Sequence, residues 1–243
     1  MKTSILLTCA LLISNNAFAS KHVHWGYSGE QGPDNWASLS GDNFSCTGNN
    51  QSPINLTGFI ESELKPLEFY YQAGGNKIIN NGHTVQVNYE KGSYIKADGI
   101  QFDLLQFHFH APSENHINGE SFPLEAHFVH ADKNGHLAVV AVMFKEGVEN
   151  KGLAAAWDKI PMHEGDSNTF VKVIAANSLL PANKGYYRFN GSLTTPPCSE
   201  GVRWFVLKEV VEASKSQIEA FKATMHGPNN RPLQAINARV ILQ

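Results

Sequence analysis

The chain has 243 residues, 42% of them hydrophobic and 17% charged, and carries a formal net charge of −3. That length can close one full core, and the composition is not that of a disordered chain. No cluster of Lys or Arg occurs anywhere, which excludes the electrostatic footprint of a nucleic-acid binder.

At the N-terminus, Lys2 precedes an apolar run from Ile5 to Ile13, and Ala17-Phe18-Ala19 offers small residues at both positions a signal peptidase inspects. Residues 1–19 therefore read as a secretory signal peptide cleaved after Ala19, with 20–243 as the mature domain. The run is shorter than the ~20 apolar residues a membrane-spanning helix needs. Cys9 lies inside it and not after it, which argues against a lipidated cysteine. No other segment is long and apolar enough to span a bilayer. The product is expected to be exported, periplasmic or secreted, with no membrane attachment. Removal of the signal leaves Cys46 and Cys198, and an even pair in an exported chain is most simply one disulfide. Closing so long a loop stabilises by very roughly 5 kcal/mol on the chain-entropy account. Two free buried thiols are the alternative.

Residues 20–60 are loop-like, with Gly, Pro and Asn at close spacing. Trp25, Tyr27, Trp36 and Phe44 recur among these breakers, so the arm is expected to pack onto the body. From residue 67 short strands follow: 67–71, 77–79, 84–89, 94–96, Ile100–His110, 124–130, 137–145, 171–175, 185–189, 202–207 and 239–242. Two helices are predicted, over 152–159 and 213–225, the second with Ile218 and Phe221 spaced for one buried face. There is no repeat, low-complexity tract or linker. The fold class is mainly β: a single domain around a large, twisted, mostly antiparallel sheet with a few peripheral helices.

The stretch Gln106-Phe107-His108-Phe109-His110 carries the chemistry. Side chains at i and i+2 of a strand share a face with Cβ atoms roughly 6–7 Å apart, a gap suited to two imidazoles converging on one metal ion. The chain has 11 histidines. In Leu124-Glu125-Ala126-His127-Phe128-Val129-His130, strand parity puts Glu125, His127 and Val129 on one face and His130 on the other. An antiparallel neighbour could therefore aim His127, but not His130, at the same point. Three neutral nitrogen ligands with an open fourth position are the arrangement of a catalytic zinc site. Gln106 and Glu125, each two residues before a ligand, can accept the second ring N–H of those histidines. The bland alternative, sheet histidines satisfied by carbonyls, suits one such residue better than this pattern. His108-x-His110-x3-Glu114 also has the spacing of cupin barrels, but the flanking glycines and a later Pro-x-Gly…His motif are missing.

These residues resemble the α-class carbonic anhydrases of the exported bacterial type, over nearly the whole mature chain. The motifs run in family order: His24-Trp25-Gly26-Tyr27, Gln51-Ser52-Pro53-Ile54-Asn55, Asn80-Asn81-Gly82-His83, Gln106 to His110 and Glu125-Ala126-His127. Gly191-Ser192-Leu193-Thr194-Thr195-Pro196-Pro197-Cys198 and Asn230-Arg231-Pro232 complete the series. The resemblance implies a carbonate dehydratase, a zinc lyase hydrating CO2 reversibly to bicarbonate and a proton by attack of hydroxide on zinc. It implies Zn2+ on His108, His110 and His127, with Gln106 and Glu125 behind them. Thr194 matches the hydroxyl that accepts from the hydroxide, Glu114 its acceptor, and His83 the proton shuttle, a role suited to an imidazole titrating near neutrality. Tyr27, Asn81 and Gln86 match the polar wall where waters bridge to His83. Val129, Val139, Leu193, Thr195, Val202 and Trp204 match the substrate pocket, although the apolar ones read on sequence alone as ordinary core. Cys46 and Cys198 match the disulfide of exported members.

Three positions depart from the usual pattern. Gln86 replaces an asparagine, Ala111 a tryptophan, and Asn115 a histidine. They put the water chain, local packing and the outer partners of the ligands in question. The resemblance further implies anion and sulfonamide inhibition and, by analogy with bacterial members, a homodimer. Two alternatives remain: a non-catalytic carbonic anhydrase-like binding module, in which a ligand histidine is typically lost, and hydrolysis of activated esters as a side activity.

Overall fold

A computed structural model describes residues 24–243. The expected signal peptide and its cleavage point lie outside the described residues. Among the described residues no helix is long and apolar enough to cross a membrane.

The strands are β1 Asn55–Leu56, β2 Glu68–Tyr70, β3 Ala73–Asn80, β4 Val85–Tyr89, β5 Tyr94–Ala97, β6 Ile100–His110 and β7 His116–Ile117. They continue as β8 Leu124–Ala131, β9 Leu137–Glu146, β10 Ser167–Ala175, β11 Tyr186–Ser192, β12 Glu200–Leu207 and β13 Val211–Ala213. Among the described residues, eleven of them form one sheet whose main path is β10-β3-β4-β6-β8-β9-β12-β11, with β2, β5 and β13 attached beside it. Pairing is antiparallel except where β12 and β13 run parallel to β9. β1 and β7 make a separate two-stranded parallel pair.

The centre of the sheet is hydrophobic on both faces. Phe107, Phe109, Phe128, Val140 and Val142 belong to the larger cluster. Val129, Val139, Ala141, Met143 and Trp204 belong to the smaller one on the opposite side. A β-bulge between Leu104 and Gln106 decides which face the histidines take. Before it, Phe102 and Leu104 point into the larger cluster; after it, Phe107 and Phe109 do, so the phase of alternation inverts. The extra residue, Leu105, is left 46% exposed, as an unpaired bulge residue should be. Gln106, His108 and His110 are thereby turned away from the larger core.

The helices start where side chains satisfy their free amides. Asn150 accepts from the amides of Gly152 and Leu153, so α2 runs Lys151–Trp157. Ser214 and Gln217 form a reciprocal capping box, so α3 runs Lys215–Met225, starting two residues later than its pattern predicts. The arm folds as 3₁₀ turns and the short helix Trp36–Leu39. Trp36 is fully buried and its indole N–H donates to Gly26 O (2.8 Å) and Gln31 O (3.0 Å). This matches the expected packing onto the body.

One predicted strand is absent: 239–242 makes isolated bridges only. Ile241 O bonds Ile60 while Leu242 exchanges both backbone bonds with Arg188, so its pairing is divided between two neighbours and no ladder propagates.

Cys46 and Cys198 are bonded, with Cα atoms 4.9 Å apart at a sequence separation of 152. The bond ties the arm to the loop after β11. Replacing both by serine is expected to cost about 2–5 kcal/mol, measured by urea unfolding under non-reducing conditions. An unchanged midpoint would deny the bond its stabilising role.

Candidate metal centre

Register does the first part of the work. His108 is directly opposite His127, and His110 opposite Glu125, across the β6–β8 ladder. Directly paired residues point to the same face. The row therefore reads Gln86, His108, His127 and Ala141 across β4, β6, β8 and β9. The neighbouring row is Gln106, Val129, Val139 and Trp204. The ring centroids of the three histidines lie 4.7–5.3 Å apart, and their candidate ligand atoms are within 4.8 Å of one another.

Each ring has a partner on its far side. Gln106 Oε1 is 2.8 Å from His108 Nδ1, and the backbone carbonyl of Asn229 is 2.7 Å from His110 Nδ1. Each acceptor makes Nδ1 the N–H and leaves Nε2 its lone pair. Glu125 Oε1 stands 2.8 Å from His127 Nε2, although off the line of a well-formed hydrogen bond. That puts Nδ1 of His127 on the Glu114 side of the ring. Burial holds all three imidazoles below their ordinary pKa, His108 and His127 well below it. They are neutral at pH 7, the form in which an imidazole can bind a metal ion.

Behind the ligands lies a buried polar network. Glu125 Oε2 accepts from the amides of Glu114 (2.6 Å) and Asn115 (2.9 Å), and Oε1 from the Asn115 side chain (2.8 Å). Asn115 also accepts from Ile54 N–H (3.2 Å), so the asparagine at this unusual position is fully used. Glu114 Oε1 accepts from the Arg231 amide (2.9 Å), while Oε2 lies 3.5 Å from His110 Nε2. Burial raises the Glu114 pKa well above the carboxylate range, against the Arg231 amide and the Thr194 hydroxyl, which favour the anion. Burial and the nearby Glu114 charge push the Tyr27 phenol up.

Among the described residues, four buried side-chain atoms lack hydrogen-bond partners: Tyr27 OH, His110 Nε2, Glu114 Oε2 and His127 Nε2. All belong to this site; His127 Nε2 is the one beside Glu125, and the lone pair of His110 Nε2 is left for a positively charged group. Three imidazoles and an open side favour zinc or a similar transition ion over magnesium or calcium.

A cavity of about 120 Å³ is lined by His108 and His110 together with Tyr27, Gln86, Thr195, Asn81 and His83. The Val129, Val139, Val202 and Trp204 side chains form one apolar cluster, with Leu193 packed against it. The Trp204 ring centroid is 4.9 Å from that of His127. Of the sequence-predicted residues, His108, His110 and His127 converge, Gln106, Glu125 and Glu114 stand beside them, and Tyr27, Asn81, His83, Gln86 and Thr195 line the cavity. Sequence reading missed Asn229, whose carbonyl holds His110 and whose side chain bonds Ala111 N–H (2.8 Å) and Phe109 O (2.9 Å). Its only signal was a polar residue between two prolines in a coil, which carries little information.

Comparison with known proteins gives consistent results. The sequence profile of the eukaryotic-type carbonic anhydrase family matches residues 31–243. A carbonic anhydrase of Pectobacterium atrosepticum is 49% identical over 243 residues, covering all of both chains. A hyperthermostable carbonic anhydrase from a hydrothermal vent chimney superposes with a TM-score of 0.88 at 53% identity, covering 90% of this chain and 99% of that one. The α-carbonic anhydrase of Thermovibrio ammonificans, solved with the inhibitor sulfanilamide, gives 0.90 at 47%, covering 91% and 99%.

Glu125→Gln is expected to weaken zinc binding by about 10–100-fold, the usual loss when a ligand's orienting partner is removed. Competition with a chromogenic chelator measures this. Affinity equal to wild type would remove Glu125 from that role.

Proposed function

Because the chain belongs to the eukaryotic-type, or α-class, carbonic anhydrase family, we propose that its three-histidine centre holds Zn2+ and performs the reversible hydration of CO2. The observation that carries the reading is the convergence of His108, His110 and His127, backed by Gln106, Asn229 and Glu125. Zinc held there would supply the positive charge that makes a water molecule nucleophilic at neutral pH.

The remaining work falls to the chain's own groups. Thr194 is buried, and its hydroxyl favours the ionised form of Glu114. A Thr194 proton donated to that carboxylate would leave its oxygen only as an acceptor, which would orient the attacking oxygen's lone pair toward carbon. Val129, Val139, Leu193, Val202 and Trp204 offer apolar CO2 a dry wall, with Thr195 at its edge. His83 lines the same cavity as His108 and His110. It receives the proton that each turnover releases, across waters held by Tyr27, Asn81 and Gln86.

The non-catalytic alternative fits less well, since all three ligand histidines are present. Ester hydrolysis would use the same nucleophile and is a side activity on this reading. The sulfanilamide complex of the Thermovibrio relative supports inhibition of this chain by anions and unsubstituted sulfonamides. The Cys46–Cys198 disulfide supports export to the periplasm or beyond, with residues 1–19 as the signal peptide.

Stopped-flow CO2 hydration on the zinc-loaded protein tests the central claim: rates equal to buffer alone would end it. Thr194→Ala should lower kcat/KM on the order of 10²-fold with zinc content unchanged. His83→Ala should slow turnover mainly at low buffer concentration, with imidazole restoring it. An unchanged buffer dependence would take the shuttle role from His83.

A further inference from the structure

The turn that presents His83 is built from both sides. Asn81 Oδ1 accepts from the amides of His83 (3.0 Å) and Thr84 (2.9 Å), and Asn80 Oδ1 from that of Gly82 (3.0 Å). Asn80 also fastens the loop 161–166. Its N–H donates to Asp166 O (3.0 Å), its carbonyl accepts from Gly165 N–H (2.8 Å), and its Nδ2 donates to Pro161 O (3.3 Å). One asparagine therefore ties the histidine's turn to the loop that carries Glu164.

The tie seats the Glu164 carboxyl group against Gly82. A β-carbon at Gly82 would lie 2.6 Å from both Cδ and Oε1 of Glu164, and the backbone there has φ +81°. Glycine suits the left-handed turn and leaves room for the carboxylate's seat. On another side the His83 ring stacks on Trp25, with centroids 3.6 Å apart and planes within 8°. His24 lies beyond, 5.5 Å from His83.

We propose that Glu164 is a positioning residue for proton export, its carboxylate favouring the imidazolium form of His83 on the solvent side of the cavity. The inference rests on His83 as the shuttle. Around His83 stand His24 and Trp25 from the arm and Glu164 from the loop, its carboxyl against the adjoining Gly82, while Tyr27, His108 and His110 line the same cavity. Burial and His24 hold the His83 pKa below its ordinary value, and Glu164 opposes both. Without that carboxylate a partly buried imidazole between a tryptophan and a second histidine would be a poor proton acceptor near neutrality. Because Glu164 is exposed, its influence should weaken as salt rises.

Glu164→Gln keeps the side chain's size and removes its charge. In the zinc-loaded enzyme at low salt, the His83 ring resonances followed by NMR should titrate about half a pH unit lower. The kcat at low buffer should fall about twofold to threefold, with kcat/KM for CO2 unchanged and added imidazole erasing the difference. An unmoved His83 titration would overturn the proposal, as would a fall in kcat/KM matching that in kcat. His83→Ala measured alongside separates the two claims. If it leaves buffer dependence unchanged, the shuttle reading itself fails. If it slows turnover while Glu164→Gln leaves the His83 titration in place, only the role of Glu164 falls.

Discussion

His108 faces His127 across the β6–β8 ladder, and the rest of the metal centre is laid out from that pair. A slip of one residue would move every side chain of a strand to the other face. The sheet resists it because both faces are apolar and the polar residues occupy a narrow patch on one of them. A slip would drive His108, His110 and Glu125 into the larger cluster and pull Phe107, Phe109 and Phe128 out of it. Each buried Phe contributes about 1.5–3 kcal/mol, so three of them hold the register more firmly than the histidines could alone. The bulge at Leu105 is the counterpart within β6, reversing the phase just ahead of the ligands.

Two carboxylates sit fully buried behind those ligands, a costly placement unless they are paired. The chain meets the cost with backbone amides, Asn115 and Arg231. The Arg231 guanidinium donates to Gln51 Oε1 (2.8 Å), Ser52 O (2.8 Å) and Cys46 O (3.3 Å) and lies over the Trp36 ring at 5.5 Å. Gln51 in turn donates to Cys198 O (3.1 Å) and Glu200 Oε1 (3.0 Å). The arm, which looks on sequence like a string of turns, is therefore the outer wall of the same network. A network of this kind is worth having only when complete, since each unsatisfied member costs more in a low-dielectric interior than in water.

Much of this was legible in the residues. β6 was read at its true ends, and β8 and β9 within one residue, because β6 alternates, β9 is a largely apolar run, and clear turn signals flank all three. Parity alone separated His127 from His130. The features that escaped are those without a local signature. Two adjacent leucines hint at a bulge, but only the pairing partner shows which one is extruded. Asn229 acts through a carbonyl, which every residue possesses. The two-residue strands β1 and β7 exist because each finds the other, and neither would be a strand alone. The 239–242 segment has strand-like residues but divides its bonds between two neighbours, a choice made by tertiary position.

The register that aims His127 at the centre sends His130 the opposite way, into the larger core. There Tyr71 OH lies 2.6 Å from its Nε2 and the Ala138 carbonyl 3.3 Å from its Nδ1. Burial depresses its pKa to about 3, so the folded protein refuses a proton that the unfolded chain accepts below about 6.5. Stability is therefore lost as pH falls through that interval, at up to about 1.4 kcal/mol per pH unit from this one residue. A strand that aims His127 at one face of the sheet thus carries, three residues along, a group on the other face that makes acid the fold's enemy.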